Sequence, residues 1–212
     1  MIYSSSERLL QQLELLRSDQ IHPLLLPDVK TDKYFPLDLS VFNQELKEVD
    51  MSSANSIQQY IASKREATQK WIAHGGYLEE RAIYRRSEHF SKASDPNKER
   101  NIHLGIDLWY DAGTEVYVPL DGKVHSFADN REYGDYGPTI ILEHMLDGAK
   151  FFTLYGHLSR ASIQALEVGQ LFDRGQKLAQ LGTAEVNGDY APHLHFQLIL
   201  DMGDYWGDFP GV

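Results

Sequence analysis

Hydrophobic positions in about the first ninety residues recur with the period of an α-helix. A first helix is predicted behind Ser6, a residue type that often caps a helix N-terminus, by the spacing of Leu9, Leu10, Leu13 and Leu16. The same period predicts a second helix over residues 39–49 and a third over residues 57–72, with Gly75 and Gly76 ending the third. The N-terminal part of the chain is therefore predicted to be helical.

A polar stretch follows this helical part. Residues 91–100 contain Pro96, carry several charges and show no hydrophobic period, which is typical of a linker. The sequence is therefore divided into an N-terminal helical region with its linker, residues 1–95, and a second domain, residues 96–212.

Beyond residue 101 the pattern changes to short alternating or apolar runs that glycines separate, which is typical of β-strands. Strands are predicted at residues 116–120, 123–127, 139–143, 151–155, 177–181 and 194–200. The second domain is thus predicted to be a β domain, and the chain as a whole to belong to the α+β class.

The acidic balance of the chain narrows the range of partners. Lys and Arg number 20 against 31 Asp and Glu, a net charge of −11, and residues 101–212 alone hold 6 basic and 16 acidic residues. Nucleic acids and anionic membrane surfaces require clustered Lys and Arg, so both are excluded as partners. The chain has nine histidines and no cysteine, and a metal site must therefore use His, Asp or Glu.

The N-terminus as written carries no export segment. Residues 1–8 lack a basic start followed by a long apolar stretch, and the apolar run at residues 24–26 is too short for a signal core or a membrane span. The sequence as written therefore predicts a cytoplasmic protein without a membrane-spanning segment, and an exported protein if a leader was removed. It predicts no oligomeric state.

Two short motifs in the β part combine residue types that bind metals. His103 and Asp107 lie four positions apart, and His193 and His195 lie two positions apart. Side chains alternate between the faces of a strand, so each even spacing aims both polar groups the same way. Taken alone, the first pair also fits a structural His–Asp hydrogen bond, and the second a solvated strand face. Together the motifs offer the ligands of a catalytic zinc site.

Further elements of the β part complete a family pattern. His157 follows the apolar run of residues 151–155, and two glycine-containing segments flank it, the turn GTEVYVPLDGKV at residues 113–124 and the paired turns within residues 168–176. With the motifs around His103 and His193, these elements resemble the M23 metallopeptidases, the family of LytM and lysostaphin, over residues 103 to about 200. The resemblance implies a mainly antiparallel β domain of the LytM/lysostaphin type.

The resemblance also implies a role for the five polar residues of these motifs. His103, Asp107 and His195 are the implied zinc ligands, and His157 and His193 are the implied catalytic histidines beside the metal. A neutral imidazole can accept a proton from the attacking water or stabilise the oxyanion. The pattern leaves open which of the two histidines is the general base.

The implied activity is that of a zinc-dependent endopeptidase that acts on a peptide or muropeptide. Two other interpretations stay open. One is a noncatalytic zinc-binding module with a regulatory or scaffold role, as part of a larger multidomain protein. The other is a non-haem iron enzyme, because two histidines and one carboxylate also form a facial triad.

Overall fold

The computed structural model describes residues 5–86 and 100–212. Two α-helices lie in the described N-terminal part, where α1 spans Ser5–Leu15 and α2 spans Ala54–Thr68. Short 3-10 turns cover Ser18–Gln20, Thr31–Lys33, Gln44–Glu48, Ala82–Arg86 and Arg160–Ile163. Among the residues described, no helix is both long and apolar enough to cross a membrane.

Twelve strands, counted over the same described ranges, are numbered β1 to β12 in chain order. They span Tyr34–Pro36, Ile72–Gly75, Glu79–Glu80, Ile102–His103, Ile106–Trp109, Glu115–Tyr117, Gly122–Asn130, Gly137–Leu146, Ala149–Gly156, Leu171–Phe172, Lys177–Gln180 and His193–Ile199. Eight strands form one sheet in the order β1-β2-β5-β12-β9-β8-β7-β10, in which only β1 and β2 pair in parallel. β3 pairs with β4 and β6 with β11 in two further antiparallel ribbons. The predicted α+β class with a mainly antiparallel sheet is confirmed.

The main hydrophobic core is built on the central strands of this sheet. β8 and β9 are buried along most of their length, and Ile140 and Tyr155 pack in one cluster with Leu194 on β12. Burying one large apolar side chain stabilises the fold by about 1.5–3 kcal/mol. Ile72 on β2 belongs to the same cluster, so the N-terminal part and the β part share one core.

Helix α2 packs in a second core cluster at the β2 and β5 end of the sheet. Ser53 caps the helix by accepting a hydrogen bond from the Ser56 amide at 3.2 Å. Ile57 and Ile61 lie one turn apart on its buried face, and both pack in the cluster that contains Trp109 of β5. The amphipathic helix thus covers apolar surface next to β5.

The predicted third helix is confirmed in its middle and wrong at its end. α2 stops at Thr68 because Gln69 adopts a left-handed conformation, with a φ of 54°, that ends the helical hydrogen bonding. Ile72 is fully buried and begins β2, which pairs with β5 instead of continuing the helix. Gly75 therefore ends a strand and not a helix.

The predicted second helix is wrong over most of residues 39–49. Only Gln44–Glu48 forms a helical turn, and the Asn43 side chain caps this turn by accepting from the Glu45 amide at 3.0 Å. Leu39 is instead buried in the second core cluster. The first predicted helix is confirmed as α1.

The N-terminal part joins the main sheet through β1 and β2. β2 pairs with β5 in a register that sets Gly75 opposite Asp107. The predicted linker at residues 91–100 falls almost entirely on residues 87–99, which lie outside the described residues. The division into residues 1–95 and 96–212 therefore stays a prediction.

Candidate metal centre

Neighbouring strands bring two of the predicted ligands together. Asp107 on β5 lies opposite His195 on β12 in their antiparallel register. His103 lies on the separate strand β4, and the chain passes through Gly105 before β5 begins. A Cβ at Gly105 would stand 2.5 Å from His195 Nε2, so only glycine lets the chain pass this ring. His103 and Asp107 thus converge through a bend, and their predicted common strand is wrong.

The three predicted ligands form a compact triangle of donor atoms. His103 Nε2 lies 2.8 Å from His195 Nδ1, and Asp107 Oδ1 lies 3.2 Å from each of these nitrogens. Zinc bonds of about 2.0–2.1 Å place tetrahedral ligand atoms about 3.3 Å apart, so this donor set fits one zinc ion. All three residues are buried, with at most 2% of their surface exposed.

Backbone carbonyls hold three histidine rings of the cluster through their Nδ1 atoms. The pairs are His103 with Gly76 O at 2.8 Å, His157 with Asn187 O at 2.7 Å and His193 with Ala191 O at 2.8 Å. A carbonyl oxygen only accepts, so Nδ1 carries the proton and donates it, and Nε2 of a neutral ring keeps its lone pair. The Nε2 of His103 is therefore available to a metal.

The two predicted catalytic histidines lie side by side next to the triangle. The ring centroids of His157 and His193 are 4.2 Å apart, and His193 Nε2 lies 3.8 Å from Asp107 Oδ1. His157 follows β9 in a left-handed backbone conformation with a φ of 62°, and Trp109 stacks against the His193 ring. The structure brings all five predicted site residues into one cluster, and their individual roles stay predictions.

Burial and neighbouring charges together set the protonation states within the cluster. Burial lowers the pKa of His103 to about 4, and it also lowers the pKa values of His157 and His193. Burial alone would raise the pKa of the Asp107 carboxyl, but His103 and Arg81 hold that pKa well below its ordinary value. Neutral imidazoles and an ionised carboxylate are the forms that bind a metal.

The sequence motifs miss two polar residues of this site. Arg81 donates from Nη1 to Asp107 Oδ2 at 2.6 Å, and the Tyr136 hydroxyl lies 3.5 Å from His195 Nε2. Tyr136 stands in a glycine-containing loop without metal-ligand spacing, and Arg81 precedes the predicted linker. The pairing of β3 with β4 brings Arg81 close to Asp107. Because this pairing joins residues remote in sequence, no local sequence pattern predicts that Arg81 belongs to the site.

The cluster lines a cavity of about 410 Å³ whose walls come from both halves of the chain. Leu39, Ile57 and Tyr84 contribute from the N-terminal part, and residues 208–212 contribute from the C-terminal part. Both flanking parts therefore shape the space above the predicted ligands.

The C-terminal segment of residues 209–212 is fixed along one wall of this cavity. Backbone oxygens of four successive residues accept hydrogen bonds. Tyr136 Oη donates to Phe209 O at 3.3 Å, Gln197 Nε2 to Pro210 O at 3.1 Å, the Leu104 amide to Gly211 O at 2.8 Å and Arg100 Nε to Val212 O at 3.0 Å. A Cβ at Gly211 would stand 3.2 Å from His195 Nε2. This segment therefore packs behind a predicted zinc ligand.

A family model matches the part of the chain that contains the cluster. The model of peptidase family M23 matches residues 101–205, a range that includes all three predicted ligands and both predicted catalytic histidines. Comparison with curated proteins gave no match.

Solved structures resemble about half of the chain. A zinc-containing peptidase from Vibrio cholerae is 32% identical, over 51% of this chain and 31% of its own, with a TM-score of 0.38. The catalytic domain of the antimicrobial peptidase lysostaphin from Staphylococcus simulans is 29% identical, over 49% of this chain and 71% of its own, with a TM-score of 0.40. Csd3 from Helicobacter pylori is 26% identical, over 49% and 25%, with a TM-score of 0.35. This chain spans less than a third of the length of the Vibrio cholerae peptidase.

Proposed function

The segment of residues 101–205 belongs to peptidase family M23, and we propose that the chain is a zinc-dependent endopeptidase that hydrolyses peptide bonds. The observation that carries the proposal is the triangle of donor atoms from His103, Asp107 and His195, which lie 2.8–3.2 Å apart. A structural His–Asp contact needs only two polar groups, whereas all five predicted site residues line one cavity here. Such convergence is expected of a metal-dependent hydrolytic site.

Each of the three proposed ligands is held by a contact within the protein. The carbonyl of Gly76 holds His103, Arg81 holds Asp107, and the pairing of β12 with β5 holds His195. Zinc bound by these residues supplies a Lewis acid that polarises a peptide carbonyl and lowers the pKa of a water molecule toward about 7. These contacts within the protein would fix the orientation of the donor atoms toward the metal.

His157 and His193 are the proposed proton-transfer groups. Burial lowers the pKa of both rings, so both are neutral near pH 7 and each has an Nε2 that can accept a proton. Their Nδ1 atoms are anchored to carbonyls, which keeps the rings aimed while a proton moves at Nε2. The ring that accepts the proton of the attacking water becomes an imidazolium, and its Nε2–H can then stabilise the oxyanion or protonate the leaving amine.

The proposed substrate is a short peptide or a muropeptide. A cavity of about 410 Å³ is of a size that holds a small ligand. Residues 101–212 hold 16 acidic against 6 basic residues, and this balance favours substrates that carry amine or other cationic groups.

The experiment incubates the zinc-loaded chain with purified muropeptides and with a mixed synthetic peptide library, and mass spectrometry identifies each cleaved bond. The matched control is His193→Ala, which keeps all three proposed ligands and loses one proton-transfer group. We expect the parent to cleave a substrate and the variant to cleave none. A chelator should abolish the cleavage by the parent, and added zinc should restore it. Cleavage that persists in the chelator would contradict the proposal, and zinc binding without any cleavage would favour the noncatalytic zinc-binding module.

A further inference from the structure

Arg81 reaches the candidate metal centre from outside the family-matched segment. It follows β3, which pairs with β4 so that Glu79 lies opposite His103, and its backbone amide donates to Asn101 O at 2.9 Å. Its side chain is only 5% exposed, and Nη1 donates to Asp107 Oδ2 at 2.6 Å. The register of this ribbon therefore delivers a buried cation to a proposed zinc ligand.

The two oxygens of the Asp107 carboxylate have different partners. Oδ1 lies 3.2 Å from both His103 Nε2 and His195 Nδ1, whereas Oδ2 accepts from Arg81. A carboxylate that rotates freely can offer either oxygen, or both, to a metal, and the contact with Arg81 removes that freedom. Building on the proposed function, we infer that Arg81 is a positioning residue that sets Asp107 to bind zinc through Oδ1 alone.

The guanidinium group of Arg81 is itself held on two other sides. Its Nε donates to Glu79 Oε2 at 2.5 Å, and its Cζ lies 5.6 Å from the centroid of the Trp109 ring. Glu79 is fixed in turn, because its Oε1 accepts from the Leu39 amide at 3.1 Å. A planar fork can serve two carboxylates at once, whereas a lysine offers one ammonium group at the end of a flexible chain. The geometry is therefore specific for arginine.

Gly76 ties Arg81 to a second proposed ligand. Its carbonyl accepts from His103 Nδ1 at 2.8 Å, and its φ of 103° lies in a region that glycine favours. An added Cβ would meet Arg81 Nη2 and would stand 2.7 Å from His103 Nδ1. A side chain at this one position would thus disturb the outer partners of two ligands together.

The test measures the zinc affinity of the full chain by competition with a chromophoric chelator. Loss of an outer partner of a metal ligand typically weakens metal affinity about 10- to 100-fold, and this loss is expected for Arg81→Met and for Gly76→Ala. Arg81→Lys keeps the charge without the fork and should weaken binding by about tenfold. The matched control is Arg65→Met, because Arg65 pairs with Asp111 on the surface at 3.0 Å and contacts no proposed ligand. Its zinc affinity should equal that of the parent.

A second readout separates positioning from general destabilisation. The absorption bands of Co²⁺ bound in place of zinc report the ligand geometry. Arg81→Met should change these bands while circular dichroism shows an intact fold, and Arg65→Met should leave them unchanged.

The outcomes distinguish this inference from the proposed function. The positioning role would be overturned if the parent binds zinc and a folded Arg81→Met binds it with an affinity within about twofold of the parent's. That result would leave the proposed function standing. If Arg81→Met fails to fold, Arg81→Lys decides by the same criterion. A parent that binds no zinc would overturn both proposals.

Discussion

Ile72 joins the core of the N-terminal part to the core of the family-matched segment. It is fully buried on β2, and it belongs to the same cluster as Leu108, Val116 and Leu194. β2 also pairs along its length with β5, the strand that carries Asp107. Ile72→Ala removes the branched side chain from this shared core and leaves a cavity between the two parts.

The expected loss of stability follows from this burial. Replacing a buried isoleucine by alanine lowers the free energy of unfolding by about 2–5 kcal/mol, and the hydrogen-bonded strands around Ile72 limit how far the site can collapse, so about 3 kcal/mol is expected. In urea, with an m-value of about 2–3 kcal/mol/M for a chain of this size, the midpoint falls by about 1–1.5 M.

Trp109 lets the measurement report on β5, the strand that carries Asp107. It is 3% exposed, whereas Trp71 and Trp206 are 46% and 61% exposed. The two exposed tryptophans can therefore be replaced by phenylalanine in all the proteins compared, which leaves Trp109 as the tryptophan whose fluorescence is followed. Trp109 fluorescence and circular dichroism are then followed through one urea titration. The control Leu198→Ala, at a position that is 41% exposed, should change stability by less than about 1 kcal/mol. A Trp109 midpoint that Ile72→Ala leaves unchanged would refute the shared core.

Two further outcomes concern the site. In the metal-free protein the pKa of His103 is lowered to about 4 from 6.5, so between these pH values the unfolded chain binds the proton more strongly. The free energy of unfolding should therefore fall by roughly 3 kcal/mol as the pH is lowered from 6.5 toward 4. The fall should be smaller in His103→Gln, and urea titrations across this pH range measure both. Gly211→Ala adds a Cβ that would meet Tyr136 Oη, so residues 209–212 should be displaced and cut faster by an added protease. Cleavage of Gly211→Ala at the rate of the parent would contradict this.

The strands of the β part could be predicted because burial leaves a local pattern in the sequence. The runs at residues 139–143 and 151–155 lie inside β8 and β9, whose side chains are buried along most of both strands. The pairing of those strands depends on contacts between residues remote in sequence, so the pattern predicts no strand order.

The N-terminal part shows where the local pattern misleads. Ile72 fits the helical period of the preceding residues. The short apolar run that it begins is equally compatible with a helix or a short strand. The left-handed conformation of Gln69 and the free edge of β5 decide in favour of β2. Neither of these can be read from the hydrophobic period alone.

At the metal centre, the prediction that an even spacing places two side chains on one strand face is right for one residue pair and wrong for the other. His193 and His195 lie two apart on β12 and line the same cavity, as alternation predicts. His103 and Asp107 lie on two strands, and they meet because Gly105 lets the chain bend past the His195 ring.

The zinc content of two neighbouring variants tests the central claim most directly. His195→Ala removes one of three proposed protein bonds to zinc, whereas His193→Ala removes a proton-transfer group and leaves those bonds in place. The two residues share one strand face and are 2% and 5% exposed, so the substitutions disturb similar packing. Zinc per chain is measured by mass spectrometry on folded protein. The account predicts about one zinc in the parent and in His193→Ala and little in His195→Ala. Zinc retained by His195→Ala, or lost from His193→Ala, would contradict it.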